Sequence, residues 1–422
     1  MTNNNVPEVR FGGFNDVWVK NVLKNELELL KDGTHGTHKD TKDTKDGVYL
    51  LSAKNIKNGK VNISSDDRRI SYEEYSKIHR NFELKSGDIL LTVVGSIGEV
   101  AMLNDPKNIT FQRSVAYLRP SNIDSLFLYT QARGANFQKE LKNRQVVSAQ
   151  PGVYLGDIGK IELIFPNDIN EQQKIGEFFK QLDDRIALQQ RYVEQLKQSK
   201  QGFLQKMFPK DGESVPEVRF DGFSGEWIQN NFMDTIQSII DFRGKTPKKL
   251  GMSWSETGYP ALSALNVKNG YIDFNSSVHF ASEELYNAWM GDKELEEGQV
   301  LFTTEAPMGN VAQIPDNNRY VLSQRTIAFR VDKKHITNNF LAVLLRSDRV
   351  FQRLSALASG GTAKGVSQKS LSALKVVIPI NLEEQQKIGE FFKQLDDLIA
   401  KNERELELLQ ETKKGFLQKM FV

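Results

Sequence analysis

An internal repeat constrains this chain of 422 residues more than any other feature. The fourteen residues EQQKIGEFFKQLDD occupy positions 171–184 and occur again, unchanged, 213 residues later at 384–397. Earlier landmarks recur in the same order, shifted by 209 to 212 residues: VPEVRFGGFNDVW and VPEVRFDGFSGEW start at 6 and 215, LSAKNIKNG and LSALNVKNG at 51 and 262, and QRSVAYLR and QRTIAFRV at 112 and 324. The sequence therefore predicts one fold used twice, each copy with a variable first part and a nearly invariant ending.

The invariant endings carry the periodicity of long helices. Apolar residues recur every three or four positions, which is the spacing of one helix face. They are Ile175, Phe179, Leu182, Ile186, Val193, Leu196, Phe203 and Met207 in the first copy, and Ile388, Phe392, Leu395, Ile399, Leu406, Leu409, Phe416 and Met420 in the second. A helix over 171–208 would be about 57 Å long, too long for one small domain to cover. We therefore expect the two helices to pair as an antiparallel coiled coil related by a pseudo-two-fold axis.

Four further apolar residues widen the face beyond what one helix pair needs. They are Phe178, Tyr192, Phe391 and Leu398. Two interpretations stay open for them: packing on the chain's own domains, or a binding surface for another subunit.

The variable parts, 19–165 and 228–378, have the pattern of mixed α/β domains. GDILLTVVGSIGEVAML (87–103) contains two apolar runs around a glycine turn, which predicts a hairpin. The stretches 123–143 and 336–357 are predicted as helices. IELIFP and LKVVIP end in Pro166 and Pro379, just before the long helices.

These patterns predict an α+β fold class. It consists of two similar mixed α/β domains, each followed by a long helix. The predicted segments are a first domain at 1–165, a helix and linker at 166–212, a second domain at 213–378 and a C-terminal helix at 379–422.

Composition narrows the class of protein. Hydrophobic residues make up 39% of the chain, enough for a core in each domain, and there are no cysteines. No apolar run is long enough for a membrane span, so we expect a cytoplasmic protein. Lys and Arg number 56 against 54 Asp and Glu, so a polyanionic partner must be bound by local basic loops.

Catalytic motifs are weak or missing in the sequence. None of the 12 prolines is followed by another, so the Asp/Asn-Pro-Pro-aromatic element of an amino-methyltransferase is absent. GKT at 244–246 does not form a phosphate loop, because Ile239 stands where the leading glycine is needed. His35 and His38 have no evident third ligand, so we expect no metal site. Pro315-Asp316, followed by Asp332-Lys333-Lys334, resembles a nuclease pattern, but only loosely.

Through these motifs the chain resembles the specificity subunit of a type I restriction-modification system over nearly its whole length. The strongest match is EQQKIGEFFKQLDD followed by GFLQKMF in both halves, and LSAKNIKNG, GDILLTVVGSIGEVA and QRSVAYLR resemble the family's recognition domains. The resemblance implies two target-recognition domains that each read half of a split double-stranded DNA target. It also implies that paired helices set the spacing and dock two methyltransferase subunits, with restriction subunits bound through them.

The resemblance further implies a chain without catalysis or cofactor of its own. S-adenosylmethionine, ATP and Mg²⁺ would belong to the partner subunits. On this interpretation the identical endings face identical partners, whereas the loops differ because the two DNA half-sites differ.

Side chains suited to DNA cluster in the polar loops. Arg and Lys recognise guanine and phosphate, Asn and Gln recognise adenine, and small residues permit close approach. The candidates are Lys39, Lys42, Lys54, Asn55, Lys57, Ser96, Arg113 and Gln150 in the first domain, and Arg243, Lys245, Lys248, Lys249, Asn266, Lys268, Arg325, Lys364 and Gln368 in the second. Asn55-Lys57 and Asn266-Lys268 recur in both halves, which suits a shared phosphate contact or a shared turn.

The sequence leaves two other functions open. The chain could be a coiled-coil scaffold that binds only protein, or a metal-dependent nuclease that uses Asp316. Salt-dependent DNA binding separates the first from a DNA reader, and cleavage by the chain alone would indicate the second.

Overall fold

A computed structural model describes residues 5–41, 47–146, 151–276, 278–358 and 365–422. The chain divides into two compact units. The first unit comprises Met1–Gln190 and Glu405–Val422, and the second comprises Arg191–Arg404. Each long helix contributes residues to both units.

The first unit is built on a four-stranded antiparallel sheet in the order β2-β10-β7-β8. A second sheet, in the order β6-β3-β9, contains a parallel pair, β3 and β9. The strands are β1 (Val19–Val22), β2 (Leu27–Asp32), β3 (Val48–Leu51), β4 (Ile56–Lys57), β5 (Lys60–Val61), β6 (Arg69–Ile70), β7 (Ile89–Thr92), β8 (Val100–Met102), β9 (Ile109–Phe111), β10 (Val115–Pro120) and β11 (Glu162–Phe165).

The second unit repeats this arrangement. Its four-stranded sheet has the order β13-β19-β16-β17, and its three-stranded sheet, β15-β14-β18, again contains one parallel pair. The strands are β12 (Ile228–Asn231), β13 (Ile236–Asp241), β14 (Tyr259–Leu262), β15 (His279–Ala281), β16 (Val300–Thr303), β17 (Val311–Gln313), β18 (Val321–Leu322), β19 (Thr326–Val331) and β20 (Lys375–Ile378). The predicted internal repeat is confirmed.

The helices follow the same order in both halves. They are α1 (Tyr72–Ile78), α2 (Ser125–Ala132), α3 (Ala135–Asn143), α4 (Leu155–Ile158) and α5 (Ile169–Lys206) in the first, and α6 (Glu283–Met290), α7 (Asn338–Arg346), α8 (Asp348–Leu357), α9 (Gln368–Ala373) and α10 (Leu382–Lys419) in the second. The predicted helices over 123–143 and 336–357 are each two helices. Gly134 and Ser347, both in an extended conformation, cap α3 and α8 and separate them from the preceding helix.

A short antiparallel strand pair closes the base of each variable part. Val19 of β1 lies opposite Phe165 of β11, and Ile228 of β12 lies opposite Ile378 of β20. The first and last residues of each part are therefore neighbours, which is the arrangement that permits a segment to be exchanged as a block.

The predicted long helices are present, with 38 residues each. In the first unit Phe178 of α5 packs edge-on against Phe416 of α10, with ring centroids 5.1 Å apart. In the second unit Phe203 of α5 packs in the same way against Phe391 of α10 at 5.0 Å. The early part of one helix contacts the late part of the other, so the predicted antiparallel pairing is confirmed within each unit. Among the described residues, no helix is long and apolar enough to cross a membrane.

Candidate nucleic-acid interface

The loops of the first unit meet at one end of its main sheet. Thr92, the last residue of β7, lies opposite Val115, the first residue of β10, and Asp32, the last of β2, lies opposite Ala116. The loops that follow β2 and β7, and the loop that precedes β10, therefore share this end, which we call the first loop edge. Ser96 and Arg113 are both exposed there.

The loop after β2 is tied to the same edge. The Thr34 amide donates to the Phe111 carbonyl at 2.9 Å, and the Arg113 amide donates to the Thr34 carbonyl at 3.0 Å. His38 is held between Thr34 and Glu74, with one ring nitrogen 2.7 Å from the Thr34 hydroxyl and the other 2.6 Å from the Glu74 carboxylate. Lys39 follows it and is exposed.

The second unit has an equivalent loop edge with different chemistry. Thr303 of β16 lies opposite Thr326 of β19, and Asp241 of β13 lies opposite Ile327. We call this end the second loop edge, and Arg243, Arg325 and Gln368 belong to it.

Arg243 is held at the second loop edge by several hydrogen bonds. Its Nε donates to Asp241 Oδ1 at 2.9 Å and its Nη2 donates to Oδ2 at 2.6 Å, while Nη1 donates to the Val366 carbonyl at 3.1 Å. Gln368 Nε2 donates to the same carboxylate at 3.3 Å. Burial alone would raise the pKa of Asp241, but the hydrogen bonds from Arg243 outweigh it, and the pKa lies below the ordinary value.

Arg325 is more accessible than Arg243. Its Nε lies 3.3 Å from Glu305 Oε1, and the two side chains are 53% and 44% exposed, so this ion pair holds it weakly. Its backbone has a positive φ of 63°, a conformation that residues other than glycine rarely adopt. The turn therefore presents this arginine at the edge at some conformational cost.

The three lysines after Arg243 differ in their exposure and in the contacts that they already make within the chain. Lys248 and Lys249 are exposed, although Lys249 Nζ donates to the Gly244 carbonyl at 2.6 Å. Lys245 instead donates to the Trp289 carbonyl at 2.9 Å and lies over the Phe242 ring. Burial and the nearby Lys293 lower the pKa of Lys245.

The repeated asparagines hold turns. Asn55 is 4% exposed; its Nδ2 donates to Asp67 at 2.7 Å, and its Oδ1 accepts from the Ser52 amide at 3.0 Å. Asn266 is 1% exposed, and its Oδ1 accepts from the Ser263 amide at 3.1 Å. A buried amide with these partners stabilises its own loop and does not reach DNA. Two roles were predicted for these asparagines, a shared phosphate contact or a shared turn, and the geometry favours the turn. Both asparagines are therefore no longer candidates for the interface.

The lysines beside these asparagines remain at the surface to different degrees. Lys57 is exposed and Lys268 is half-buried. Lys54 forms an ion pair with the buried carboxylate of Asp67 at 2.8 Å, which makes it part of the same turn. Lys42, Gln150 and Lys364 lie outside the residues that the structure describes.

The four apolar helix residues separate into two pairs. Phe178 packs against Phe11 and Phe416, and Phe391 packs against Phe203 and Phe220. Both phenylalanines are half-buried, and the geometry favours the first interpretation for them, packing on the chain's own residues. Tyr192 and Leu398 are 43% and 37% exposed and remain candidates for partner binding.

Most of the repeated motif faces inward, which the sequence interpretation missed. Glu171 is 1% exposed and forms a bidentate ion pair with Arg10 at 2.6 and 2.7 Å, and Glu384 does the same with Arg219 at 2.7 and 2.8 Å. Each glutamate thus joins the start of its long helix to the VPEVRF segment of its own half. The signal was available, since both partners of the pair recur in both halves.

Further inward residues join each long helix to an earlier helix of its own half. Gln172 Oε1 accepts from the Asp124 amide at 2.8 Å, at the start of α2, and Gln385 Oε1 accepts from the Thr337 amide at 3.0 Å, at the start of α7. A Cβ on Gly176 would lie 2.6 Å from Leu126 Cβ, which no real structure tolerates unchanged. The glycine permits this close approach.

The remaining residues of the motif form a second, outward set. We call it the outer helix face: Gln173, Lys174, Glu177, Lys180, Gln181 and Asp184 in α5, and Gln386, Lys387, Glu390, Lys393, Gln394 and Asp397 in α10. All are exposed except Gln386, which is half-buried. Ion pairs between Lys180 and Asp184, and between Lys393 and Asp397, both measure 2.9 Å. Lys174 lies over the Phe11 and Phe14 rings and Lys387 over the Phe223 ring. Packing within the chain does not explain why the other exposed positions are identical.

A metal-dependent nuclease gains no support from the described residues. Asp316 accepts hydrogen bonds from the Asn318 amide at 2.8 Å and from the Tyr320 hydroxyl at 3.0 Å, as part of its own turn. Over the ranges that the structure describes, no group of three or more His, Cys, Asp or Glu side chains could hold a metal ion.

Comparisons with known proteins agree on one family. The family model for the type I restriction modification DNA specificity domain matches the chain twice, over 28–198 and 233–411. The MjaX specificity subunit of a type I restriction enzyme from Methanocaldococcus jannaschii is 24% identical over 98% of this chain and 95% of its own length. The MjaVIII specificity subunit of the same organism is 24% identical over 79% of this chain and 78% of its own.

Solved structures agree with the fold. The crystal structure of a type I restriction-modification S subunit from M. genitalium has a TM-score of 0.65 at 16% identity and covers 99% of both chains. A chain from a structural study of complex assembly and conformational transition in a type I restriction-modification system has a TM-score of 0.51, covering 96% of this chain and 97% of its own.

Proposed function

Because the chain belongs to the family of type I restriction-modification DNA specificity subunits, we propose that its two loop edges read the two halves of a bipartite, asymmetric DNA target. We further propose that the two copies of the outer helix face each dock one methyltransferase subunit. Members of this family are non-catalytic DNA-recognition subunits. In the proposed complex, methyl transfer, ATP hydrolysis and cleavage therefore belong to the methyltransferase and restriction subunits.

One observation carries the proposal: the exposed residues of the repeated motif are identical on the two long helices, whereas the loops after β2 and β13, and those after β7 and β16, differ in sequence, although Arg113 and Arg325 are equivalent. Exposed residues are not constrained by core packing, so their identity needs another cause. Two identical partners provide that cause, because each requires the same surface. Two different DNA half-sites require different loops.

The loop edges have suitable chemistry for DNA. The first edge offers Ser96, Arg113 and Lys39, and the second offers Arg243, Arg325 and Lys248. Arg243 is held in a bidentate ion pair on one side, so its remaining N–H groups keep a defined direction, as bidentate recognition of guanine requires. Lys248 and Lys39 suit phosphate contacts, which position a protein without reading sequence.

Co-expression with a methyltransferase subunit tests the DNA-reading role. We expect sequence-specific adenine methylation at one split site only when this chain is present, mapped by single-molecule sequencing. The purified chain alone should bind DNA weakly, with an affinity that falls as salt rises. Methylation that is independent of the chain, or DNA binding that does not respond to salt, would contradict the proposal and favour a protein scaffold.

Charge reversal on the outer helix face tests the docking role. Glu177→Lys should reduce the complex from two methyltransferase subunits per chain to one, and adding Glu390→Lys should reduce it to none, as measured by native mass spectrometry. Both residues are exposed, so folding should be preserved. Lys401→Glu, at an exposed position of α10 outside the face, is the matched control. Two bound subunits in the double variant would place docking elsewhere.

A further inference from the structure

Each unit contains an ion triad that joins three helices. In the first unit Arg133 Nη1, just after α2, donates to Asp183 Oδ2 of α5 at 2.6 Å. Lys413 of α10 donates to the other oxygen of the same carboxylate. The three side chains are only 23%, 28% and 12% exposed. We call this set the first triad.

The second unit repeats the set with the helices exchanged. Arg346 of α7 donates to Asp396 of α10 at 2.5 Å, and Lys200, now from α5, donates to the other carboxylate oxygen. The exposures are 6%, 18% and 18%. Arginine and aspartate each lie 213 residues after their first-triad equivalents, and Lys200 precedes Lys413 by the same interval. We call this set the second triad.

Both triads also border the turn that carries the repeated Asn-Gly pair. In the first unit Arg133 Nη1 donates to the Tyr129 hydroxyl at 2.9 Å, and that hydroxyl donates to the Gly59 carbonyl at 3.3 Å. In the second unit a Cβ on Gly270 would lie 3.0 Å from Arg346 Nη1 and 3.4 Å from Asp396 Oδ2. Each carboxylate thus lies where the variable domain, its own long helix and the other long helix meet.

The electrostatics make each aspartate essential to its triad. Burial lowers the pKa of both Lys200 and Lys413 from the ordinary lysine value, so these ammonium groups have lost much of their hydration. Without the carboxylate, a desolvated lysine and an arginine would face each other with no counter-charge, which is strongly unfavourable. The next residues, Asp184 and Asp397, differ from the triad aspartates, because they form exposed ion pairs with lysines of their own helix.

We propose that the two triads are positioning sites that fix the angle of each recognition domain on the helix pair, and thereby the number of unread base pairs between the DNA half-sites. This inference rests on the proposed function. Asp183 and Asp396 act through the arginine and the lysine that each of them holds and touch no base. Each triad should govern the placement of its own domain, while the loop edges continue to determine which bases are read.

The experiment compares Asp183→Asn and Asp396→Asn with Glu194→Gln and Glu407→Gln, at exposed positions of the same two helices outside the outer helix face, in the complex with methyltransferase. Methylation maps should show that the first two variants keep both half-sequences. Methylation of sites whose gap is one base pair longer or shorter should rise at least about tenfold relative to wild type, because a buried ion pair has been broken. The two control variants should keep the wild-type gap.

A second variant separates positioning from folding. Lys413→Met removes the buried charge but keeps the pair between Arg133 and Asp183, so it should fold and still relax the gap. An unchanged gap in Asp183→Asn or in Lys413→Met, even with a lower melting temperature, would reduce the triads to a structural role and overturn the inference. Wild-type chain that confers no sequence-specific methylation would instead overturn the proposed function.

Discussion

Each variable domain has a side that faces its long helix and a loop edge. Contacts on the helix side recur in the two halves, whereas contacts at the loop edge differ. On the helix side the two halves repeat their main ion pairs: Arg10 with Glu171 corresponds to Arg219 with Glu384. At the loop edge, Asp32 closes β2 beside His35, whereas Asp241 closes β13 in a bidentate pair with Arg243. The same strand end is thus used for two different purposes.

This difference changes the explanation for the repeated motif. From the sequence, identical residues were interpreted as surfaces for identical partners. In the structure that interpretation stays open for the outer helix face alone, because the first glutamate, first glutamine, glycine and first aspartate of each copy are occupied within the chain. A motif can therefore be repeated for two independent reasons, and variants that separate them sharpen the comparison.

Exchange of a whole variable domain has the largest expected effect. Replacing residues 228–378 with the domain of another specificity subunit should replace one half of the methylated sequence and leave the other unchanged. Ile228 and Ile378 lie opposite each other, so the exchange preserves the neighbouring ends. Specific sites are typically preferred by about 10³-fold or more, so the change should be complete in a methylation map.

The reciprocal exchange of 19–165 is the matched control. It should alter only the other half of the site, since Val19 and Phe165 are opposite neighbours in the same way. A change in both halves after either exchange would show that the two loop edges do not read independently.

Adding one methyl group to the helix glycines should break the repeated packing. Gly176→Ala and Gly389→Ala place a Cβ 2.6 and 2.4 Å from the side chains of Leu126 and Asn339, so each should lower the free energy of unfolding by about 1–3 kcal/mol. Chemical denaturation measures the change in each variant. Equal losses in the two variants would support equivalent packing.

Two other glycines of the same helices serve as controls. A Cβ on Gly202 or Gly415 meets nothing within 4 Å, so alanine there should stabilise the helix by about 0.5–1 kcal/mol. The predicted effects have opposite signs. Destabilisation of the same size at all four positions would show that the glycines matter for backbone flexibility and not for close approach.

Local patterns in the sequence were sufficient for much of the fold. The apolar spacing of three and four predicted both long helices, and the glycine turn in 87–103 predicted the β7–β8 hairpin. These features depend on residues a few positions apart. The break at Gly134 was missed, because the apolar pattern continues across it while an extended residue ends the helix.

The inward contacts of the motif depend on residues far apart in sequence. Glu171 meets its arginine 161 positions away, and Asp183 meets Lys413 across 230. The local sequence pattern does not predict these distant partners. Asp183 nevertheless lies between Phe179 and Ile186 on the apolar face, and a charged residue at such a position indicates a buried ion pair. For the DNA interface, residue type alone could not show that Asn55 is buried whereas Lys57, a candidate in the same turn, is exposed.

Substitutions at the repeated turn should separate structure from DNA binding. Asn55→Ala and Asn266→Ala should each cost about 1–2 kcal/mol of stability, because buried hydrogen-bond partners are left unsatisfied. Lys57→Ala, at an exposed position, should stay within about 0.5 kcal/mol of wild type but reduce the salt dependence of DNA binding by about one phosphate contact. Denaturation and binding titrations over a salt range measure both. Loss of DNA affinity in a fully stable Asn55→Ala would return that asparagine to the interface.

The smallest expected effect concerns acid stability at the two strand ends. Burial alone would raise the pKa of Asp241, but hydrogen bonds from Arg243 lower it below the ordinary value of 3.8. A carboxyl group with a lower pKa in the folded state stabilises the fold above its ordinary pKa, and this contribution is lost as the pH falls through the folded pKa. Asp241→Asn should therefore be about 1 kcal/mol less stable than wild type at pH 7, and the difference should shrink once the pH falls below 3.8 and through the lower folded pKa of Asp241.

Asp32→Asn tests whether this pH dependence of stability is specific to the second loop edge. The partner of Asp32, His35, is 63% exposed, so the substitution should change stability by less than about 0.5 kcal/mol at pH 7. Denaturation midpoints measured from pH 7 to pH 3 compare the two variants directly. A difference for Asp241→Asn that did not shrink as the pH fell below the ordinary pKa of 3.8 would mean that the asparagine disturbs the loop by its shape and not by the loss of the charge. An equal loss in both variants would mean that the strand-end aspartates stabilise the two edges alike, despite their different partners.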